Sequence, residues 1–417
     1  MSDDHVKHDP REIIRGFQQL LYSPTKSIGF FAGAGTSMCV KDPASKKSII
    51  PGINELTETI EGQLSDEKYK KCYKAIKDEL KKEKQAPQIE YILSNIRLKA
   101  QVIGAGTLCD LNQKQFKELE MEITSKIEKL VSPEIPQDIV HENFAKWIRN
   151  ANRRKAIEIF TTNYDYLFEV GFERAKVPYF DGFVGSHSPF FCSTTVAEND
   201  LPLDWVRLWK VHGSLGWRFD EKQNRIVREK GAGSLMVFPS LLKYDDSRKQ
   251  PYVSFIDRLA TFLKEDDSFL IICGYGFGDQ HLNDTIIHAL SRTRSSAVYA
   301  FIHGDATEDH PAVKLARYEP RLTVMAKNSA VIGGVYGLWK LNREPSSSDS
   351  IQISTYFDED AVPANPVVSG KGNGDKIPAQ EVHWEGKGVL ILGDFAKLVA
   401  FLNLMLPNTA SGGRDAS

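Results

Sequence analysis

Cysteines are few in this sequence and form no motif. The five of them are scattered and odd in number, and no Cys-x-x-Cys occurs. That pattern argues against a disulfide framework and against a structural zinc ribbon. The chain starts with the polar residues Met-Ser-Asp-Asp-His and shows no signal peptide there, so we expect a protein of the reducing cytoplasm.

Long hydrophobic runs and a strong charge of one sign are also missing. No uncharged apolar run is long enough to span a membrane. The net charge is −2 over 417 residues, so no overall field attracts nucleic acid or an anionic membrane, and Arg153-Arg154-Lys155 is too short to argue for DNA binding. The absence of Gly-Lys-Ser/Thr excludes a P-loop ATPase, and no His-Glu-x-x-His or other zinc-ligand spacing occurs.

What the sequence does contain is a series of buried strands that end in glycine or polar clusters. Because ligands of open parallel sheets bind at the carboxyl ends of the strands, four such clusters predict one shared site along one edge. The clusters are Gly33-Ala34-Gly35-Thr36-Ser37, Thr162-Asn163-Tyr164-Asp165, His212-Gly213-Ser214 and Gly274-Tyr275-Gly276-Phe277-Gly278-Asp279.

The first cluster follows the apolar strand 27–32 and leads into a helix. Gly33 and Gly35 let the backbone turn tightly and approach a ligand, and free N–H groups at the helix start would favour phosphate. A third glycine is missing because position 38 is Met, so the G-x-G-x-x-G fingerprint is incomplete. A plain strand–turn–helix corner is therefore the alternative.

The patterns divide the chain into three parts. Residues 1–64 and 156–340 predict an α/β domain with a Rossmann-like parallel sheet. Residues 65–155 carry charged helical patterns with apolar stripes, which predict an inserted all-helical module. Residues 341–417 predict a flexible loop, a short strand over 389–392 and a final helix capped by Asp394. Within the α/β part we expect an ordered loop over 178–205 and a β meander over 215–250.

Taken together, the four clusters resemble the sirtuin family, over roughly residues 25–305. The first looks like the family's Gly-Ala-Gly-hydroxyl loop over the NAD pyrophosphate, and Asn163 and Asp165 match residues that face the nicotinamide ribose. His212-Gly213 matches the catalytic His-Gly, and Gly274 begins a turn similar to the one near the adenine side. The resemblance therefore implies NAD binding by Gly33, Ala34, Gly35, Thr36, Ser37, Asp165, Gly274, Tyr275, Gly276, Phe277 and Asp279.

Several departures point to one branch of that family. Protein-deacylating sirtuins carry a four-cysteine zinc module after the His-Gly motif, where this chain has only Cys273. The family's Gly-Ile-Pro-Asp-Phe-Arg is reduced to Ile50-Pro51-Gly52-Ile53-Asn54, and Thr162 replaces a glutamine. These changes resemble the divergent bacterial NAD-hydrolysing effectors of antiphage defence. Length and layout are similar to the sirtuin subunit that acts with a hexameric HerA-type ATPase.

Asn163 and His212 are the candidate catalytic residues. The Asn163 side chain can orient ribose hydroxyls and a water, and His212 can accept a proton near neutral pH. The structural alternatives are a strand-end cap and a buried structural histidine. Asp165 either orders Asn163, binds ribose or caps its own helix, and Asp279 either holds ribose or caps the helix that begins near His281.

Three functions are open at this stage. The first is an NAD glycohydrolase that needs no zinc; the others are an NAD-dependent protein deacylase and a non-catalytic module that binds ADP-ribose-like ligands. We expect a homo-oligomer docked to a HerA-type ATPase, with no nucleic-acid site and no membrane segment. The subunit contacts are expected on the charged helical module and on the apolar stripe of the helix over 394–406. The alternative is that both surfaces pack on the chain's own core.

Overall fold

The computed structural model describes residues 6–83, 85–151, 153–229, 250–347, 349–361 and 384–406. These residues contain sixteen strands and thirteen α-helices. The strands are β1 Val6–His8, β2 Ser27–Ala32, β3 Glu158–Thr161, β4 Tyr179–Phe180, β5 Phe183–Val184, β6 Phe190–Phe191, β7 Val206–Lys210, β8 Trp217–Asp220, β9 Arg225–Arg228, β10 Ser268–Cys273, β11 Ala297–Phe301, β12 Leu322–Met325, β13 Ser329–Ile332, β14 Val335–Trp339, β15 Phe357–Asp358 and β16 Val389–Leu390. The helices are α1 Pro10–Tyr22, α2 Ala34–Met38, α3 Ile53–Gln63, α4 Glu67–Lys82, α5 Ile89–Val102, α6 Gln113–Val131, α7 Val140–Asn150, α8 Leu167–Ala175, α9 Ser193–Glu198, α10 Tyr252–Lys264, α11 Gln280–Ser291, α12 Pro311–Tyr318 and α13 Phe395–Leu404.

A ten-stranded, mostly parallel sheet forms the centre of the fold. Its strand order is β1-β14-β13-β12-β11-β10-β2-β3-β7-β4. All pairings from β12 to β4 are parallel, and β13 is antiparallel to both neighbours. After β2, the chain forms β3 and β7 on one side of that strand, and later β10, β11 and β12 on its other side. The order thus reverses between β2 and β10, at a topological switch point, and the predicted Rossmann-like sheet is confirmed.

The carboxyl ends of the central strands are level with one another. Ala32 at the end of β2 pairs with Thr161 on one side and with Cys273 on the other. Thr161 in turn pairs with Lys210 of β7, and Cys273 pairs with Phe301 of β11. The four glycine and polar clusters therefore begin along one edge of the sheet, as the sequence predicts.

Helices cover both faces of the sheet, as a buried parallel sheet requires. One apolar core joins the sheet to α1, α7, α8 and α13. The second joins the opposite face to α10, α11 and α12. Every residue of β2 is buried, which explains its uninterrupted apolar sequence.

A third apolar core lies within helices α3 to α6, which we call the helical cluster. Its stripes include Ile60 of α3, Ile92 of α5 and Phe116 of α6, all fully buried. Helix α7 instead packs on the sheet, where Phe144 lies 4.8 Å from Phe30 between ring centroids. Apolar contacts thus group α3 with the helical cluster and α7 with the sheet, while the division at residues 65 and 155 remains a prediction.

The segment 178–205 was expected to be a loop and is not. It contains β4, β5, β6 and α9, whose strands are only two residues long and so leave no periodic pattern to read. Part of the expected meander is present as the antiparallel pair β8–β9. Its remainder over 230–249, the loop over 362–383 and the tail lie outside the described residues.

The C-terminal helix packs on this chain's own core. Asp394 caps it by accepting hydrogen bonds from the N–H groups of Ala396 and Lys397 at 2.8 and 3.1 Å, as predicted. Phe401 stacks on Phe17 with ring centroids 6.0 Å apart, and Leu398 is fully buried. The expectation that this stripe needs a partner surface is therefore wrong. In the described part of the chain, no helix has the length and apolarity to cross a membrane.

Candidate active site

Two neighbouring cavities lie at the carboxyl edge of the sheet. The first, which we call the His212 cavity, has a volume of about 310 Å³ and is lined from the ends of β3 and β7, the start of α11 and the helical cluster. The second, the His303 cavity, has a volume of about 650 Å³ and lies beyond β11 and the start of α13. The residues that line both are Ala34, Ile53, Gly274, Tyr275 and Gly276.

The two glycine turns interlock between these cavities. The N–H groups of Gly33 and Gly35 donate to the carbonyls of Cys273 and Gly274 at 3.0 and 2.9 Å. A Cβ atom on Gly35 would lie 2.7 Å from the Cα of Gly274, so only glycine permits this approach. The N–H of Thr36 is also used, by the carbonyl of Gly33 at 3.0 Å. These three N–H groups do not face a ligand, contrary to the expectation from the sequence.

Asn163 is tied to the first glycine turn. Its Nδ2 lies 2.7 Å from Ser37 Oγ, 3.0 Å from Thr36 Oγ1 and 3.1 Å from the carbonyl oxygen of Gly33. The Gly33 carbonyl is an obligate acceptor, which fixes the nitrogen of the amide on this side. The carbonyl oxygen of Asn163 is therefore the atom of the amide that remains for a ligand in the His212 cavity.

Asp165 stabilises this arrangement through Ser37. Ser37 Oγ donates to Asp165 Oδ2 at 2.6 Å, and the N–H of Leu167 donates to Oδ1 at 3.0 Å. Asp165 therefore contacts Asn163 through Ser37 and accepts a hydrogen bond from the first residue of α8, whose N-cap is Tyr166. Ribose binding by Asp165 stays a prediction.

His212 pairs with Asp279 across the cavity. Its Nε2 lies 3.0 Å from Asp279 Oδ2, and Asp279 Oδ1 accepts from the N–H of Leu282, which caps α11. Burial lowers the pKa of His212, but the hydrogen bond to Asp279 and the charges of Glu90 and Asp279 raise it more, so the pKa lies above its ordinary value. Burial raises the pKa of Asp279, but the hydrogen bond to His212, the charge of His212 and the backbone N–H groups of Leu282 and His281 together lower it more, so the net pKa is lowered.

Glu90 is a residue of the site that the sequence reasoning missed. It lies in the first turn of α5 and lines the His212 cavity, with Oε1 3.9 Å from His212 Nδ1. The hydroxyl of Tyr164 lies 3.4 Å from the same oxygen. Burial raises the pKa of Glu90 despite the opposing effect of His212. Glu90 stands beside an apolar helix stripe and within no motif, so no signal in the sequence pointed to it.

A buried ion pair holds the loops beneath these residues. Lys210 Nζ lies 2.7 Å from Glu169 Oε1 and donates to Ser214 Oγ at 2.9 Å. It also donates to the carbonyls of Tyr164 and Asp165. Lys210 thereby joins the loop that follows β3 to the loop that follows β7.

The remaining predicted residues divide into two groups. Ala34, Ser37, Gly274, Tyr275 and Gly276 line the His212 cavity, and Gly35 lines the His303 cavity. Gly33, Thr36 and Phe277 line neither of them. Phe277 is 2% exposed and packs on Tyr275 with ring centroids 4.9 Å apart. Its side chain therefore stabilises the glycine turn by packing.

The His212 cavity is anionic. Three carboxylates line it, from Glu90, Asp165 and Asp279, and no lysine or arginine is among its lining residues in the described part of the chain. Such a lining favours a cationic ligand over a phosphate at this position. Within the described ranges, no group of three or more His, Cys, Asp or Glu residues is placed to hold a metal ion.

Comparison with known proteins gives one family match. Residues 157–322 match the model of the SIR2-like domain, a span of less than half of the chain that includes Asn163, His212 and Asp279 but not the first glycine turn. No curated protein matches the chain. A crystal structure of cytosolic 5'-nucleotidase IIIB bound to cytidine aligns over 78% of this chain and 88% of its own, at 11% identity and a TM-score of 0.29, a likeness too low to carry an argument. The SIR2-like match supports the resemblance to sirtuins that the four clusters indicate.

Proposed function

We propose that the protein is an NAD glycohydrolase, which uses water to cleave NAD into nicotinamide and ADP-ribose. The observation that carries this proposal is the meeting of Asn163 and His212 in an anionic cavity beside the switch point of the sheet. SIR2-like domains bind NAD, and the match covers both residues.

The chemistry of NAD cleavage suits this cavity. The pyridinium leaves as neutral nicotinamide and needs no general acid, while positive charge develops on the ribose in an oxocarbenium-like state. The carboxylate of Asp279 would favour both the pyridinium and that cation. The Asn163 carbonyl oxygen is available to orient a ribose hydroxyl or the attacking water, and His212 to accept a proton.

The two cavities have a layout that fits a dinucleotide. In this proposal the nicotinamide riboside half occupies the His212 cavity and the adenosine half occupies the His303 cavity. The pyrophosphate then passes over the interlocked turns, where Gly276 is exposed and nothing lies within 4 Å of its missing side chain. Binding on both sides of the strand reversal follows the general rule for doubly wound sheets.

The cellular role is proposed from the resemblance alone. We propose a cytoplasmic effector of bacterial antiphage defence that depletes NAD, assembled as a homo-oligomer with a HerA-type ATPase. Since α13 is covered by its own core, the helical cluster is the surface that remains for such contacts. Its exposed apolar residues include Val102 and Met121, which are 71% and 63% exposed. A monomer at micromolar concentration with full activity, measured by light scattering, would contradict control by assembly.

One assay separates the three functions. Purified protein is incubated with NAD, and nicotinamide release is followed with and without an acylated peptide. Release without peptide is expected for the glycohydrolase, release only with peptide identifies a deacylase, and no release leaves the ligand-binding module. Because the proposal needs no zinc, stoichiometric zinc in elemental analysis would contradict it.

Two variants test the catalytic residues. Asn163→Ala and His212→Ala are each expected to lower nicotinamide release by about 100-fold or more, since a group that positions the reactants and an acid–base group each contribute about that much. Asn143→Ala and His281→Ala are matched controls, because both residues are exposed and line neither cavity. If either site variant cleaves NAD at nearly the rate of its control and its thermal melting is unchanged, that residue is not catalytic.

A further inference from the structure

We propose that Glu90 is a positioning residue that sets the protonation state of His212, so that the helical cluster completes the active site. This inference deepens the proposed NAD cleavage and rests on it for its functional meaning. It assigns a role to a residue outside the four strand-end clusters.

The geometry around the imidazole carries the proposal. Nε2 of His212 is paired with Asp279, whereas Nδ1 is buried and has no hydrogen-bond partner among the described residues. The group that faces Nδ1 is Glu90, with Oε1 at 3.9 Å. A buried polar atom without a partner is costly, and a small approach of the carboxylate would satisfy it.

The surroundings of Glu90 make this pairing specific. The charged groups that face it are His212 and Asp279, and the hydroxyl of Tyr164 is within reach at 3.4 Å. Tyr91 and Tyr275 also face this group of carboxylates, and the negative charges of Glu90 and Asp279 help to raise the pKa of both phenols. His212 is thus the cation that opposes Glu90 in this part of the described structure.

The backbone of Glu90 is fixed by the helical cluster. The preceding residue, Ile89, is fully buried, and its N–H donates to Thr57 Oγ1 of α3 at 2.9 Å. The next turn of α5 buries Ile92 and Leu93. A displacement of α5 relative to the sheet would therefore move the carboxylate relative to His212.

The function of this contact is the transfer of a proton between His212 and Glu90. In this proposal His212 is protonated on both nitrogens before NAD binds, with Asp279 facing Nε2 and Glu90 facing Nδ1. When the cationic pyridinium enters, the proton on Nδ1 moves to Oε1 of Glu90, which leaves a neutral imidazole and a neutral carboxylic acid. The buried position of Glu90 favours that neutral form. His212 is then able to accept a proton at the reacting centre.

The alternative is that Glu90 only stabilises its helix, since an acidic residue in the first turn interacts favourably with the helix dipole. A direct titration distinguishes the two. Labelled histidine signals are followed by NMR against pH in the wild type, Glu90→Gln and the matched control Glu58→Gln, an exposed residue of the same cluster. The His212 signal is identified by its loss in His212→Asn.

We expect the titration midpoint of His212 to fall by about 1 pH unit in Glu90→Gln, because removal of a nearby opposite charge has effects of that size. The acid limb of the nicotinamide-release profile should shift to lower pH in parallel. An unchanged midpoint would overturn the inference. Wild-type protein that releases no nicotinamide would overturn the proposed function, while the titration would still decide the role of Glu90.

Tyr164→Phe keeps the test decisive if Glu90→Gln does not fold. Loss of the hydroxyl removes a contact that lowers the pKa of Glu90, so the carboxyl is protonated more readily. The midpoint of His212 should then fall in the same direction by a smaller amount. No movement in a folded Tyr164→Phe protein would contradict the proposal.

Discussion

The side-chain nitrogen of Asn163 lies 2.7 Å from the hydroxyl oxygen of Ser37, and that hydroxyl donates in turn to Asp165 at 2.6 Å. The orientation of the candidate catalytic amide is thus set by a chain of hydrogen bonds that begins in the loop after β3, crosses to α2 and returns to Asp165 before α8. Ser37 is the middle of this chain and joins two residues of that loop.

Removal of the Ser37 hydroxyl should therefore misalign Asn163. We expect Ser37→Ala to lower nicotinamide release by about 10-fold, since one buried hydrogen bond contributes roughly 1 kcal/mol and one partner is left unsatisfied. Steady-state kinetics on Ser37→Ala and on the exposed control Ser45→Ala measure the effect. Equal rates in the two variants would show that the chain does not orient the amide.

The pair of His212 and Asp279 predicts a pH dependence of stability. The pKa of His212 is raised in the folded protein, so its contribution to the free energy of unfolding is full below pH 6.5 and is lost as the pH rises through the folded value. The lowered pKa of Asp279 has the opposite sign: its contribution is present above pH 3.8 and is lost as the pH falls.

Asp279→Asn should flatten the alkaline limb of that profile, because it removes the charge that the imidazolium faces at 3.0 Å. Urea unfolding at about pH 6 and about pH 9, on either side of the neutral range in which histidine titrates, provides the measurement. A wild-type protein whose stability does not decline between these values, or a variant that declines as steeply, would contradict the assignment.

The interlocked turns predict a large difference between two nearby glycines. A Cβ on Gly274 would lie 2.6 Å from the amide nitrogen of Thr36, and Gly274 also has φ +70°. Gly274→Ala should lower the free energy of unfolding by about 1–3 kcal/mol. At Gly276 nothing lies within 4 Å of an added Cβ, so Gly276→Ala should stay within about 0.5 kcal/mol of wild type. Similar urea midpoints for the two variants would refute the packing described.

The buried pair of Lys210 and Glu169 predicts an asymmetric response. Lys210→Met leaves a buried carboxylate without its cation and should cost about 3–5 kcal/mol of stability. Adding Glu169→Gln to that variant removes the uncompensated charge and should recover part of the loss. Chemical denaturation of the single and double variants tests this, and a double variant no more stable than Lys210→Met would argue against the pairing.

The sequence predicted that the strand-end clusters lie along one edge, because parallel topology alone brings them together. Asn163 and His212 follow adjacent strands, so their proximity needs only the order of β3 and β7. Glu90 follows no such rule. Its place in the site depends on how α5 lies over the edge of the sheet, and the apolar stripe of that helix does not reveal which of its carboxylates faces the site.

The sheet itself was larger than the patterns indicated. Strands β12, β13 and β14 are four or five residues long and are joined by tight turns such as Gly333-Gly334. Their hydrophobic patterns are therefore too short to be distinguished from the flanking turns in the sequence. The position of α7 was likewise set by tertiary packing of Phe144 and Trp147 on Phe30, which a helical stripe alone does not specify.

The central strand gains its neighbours late in synthesis. Ala32 of β2 pairs with Thr161 and with Cys273, residues that leave the ribosome long after it. Until then β2 is an apolar segment without sheet partners, a state that chaperones recognise. The candidate site also needs Asp279, so a nascent or prematurely terminated chain carries no complete set of these residues. A site built this way is complete only when most of the polypeptide has been made.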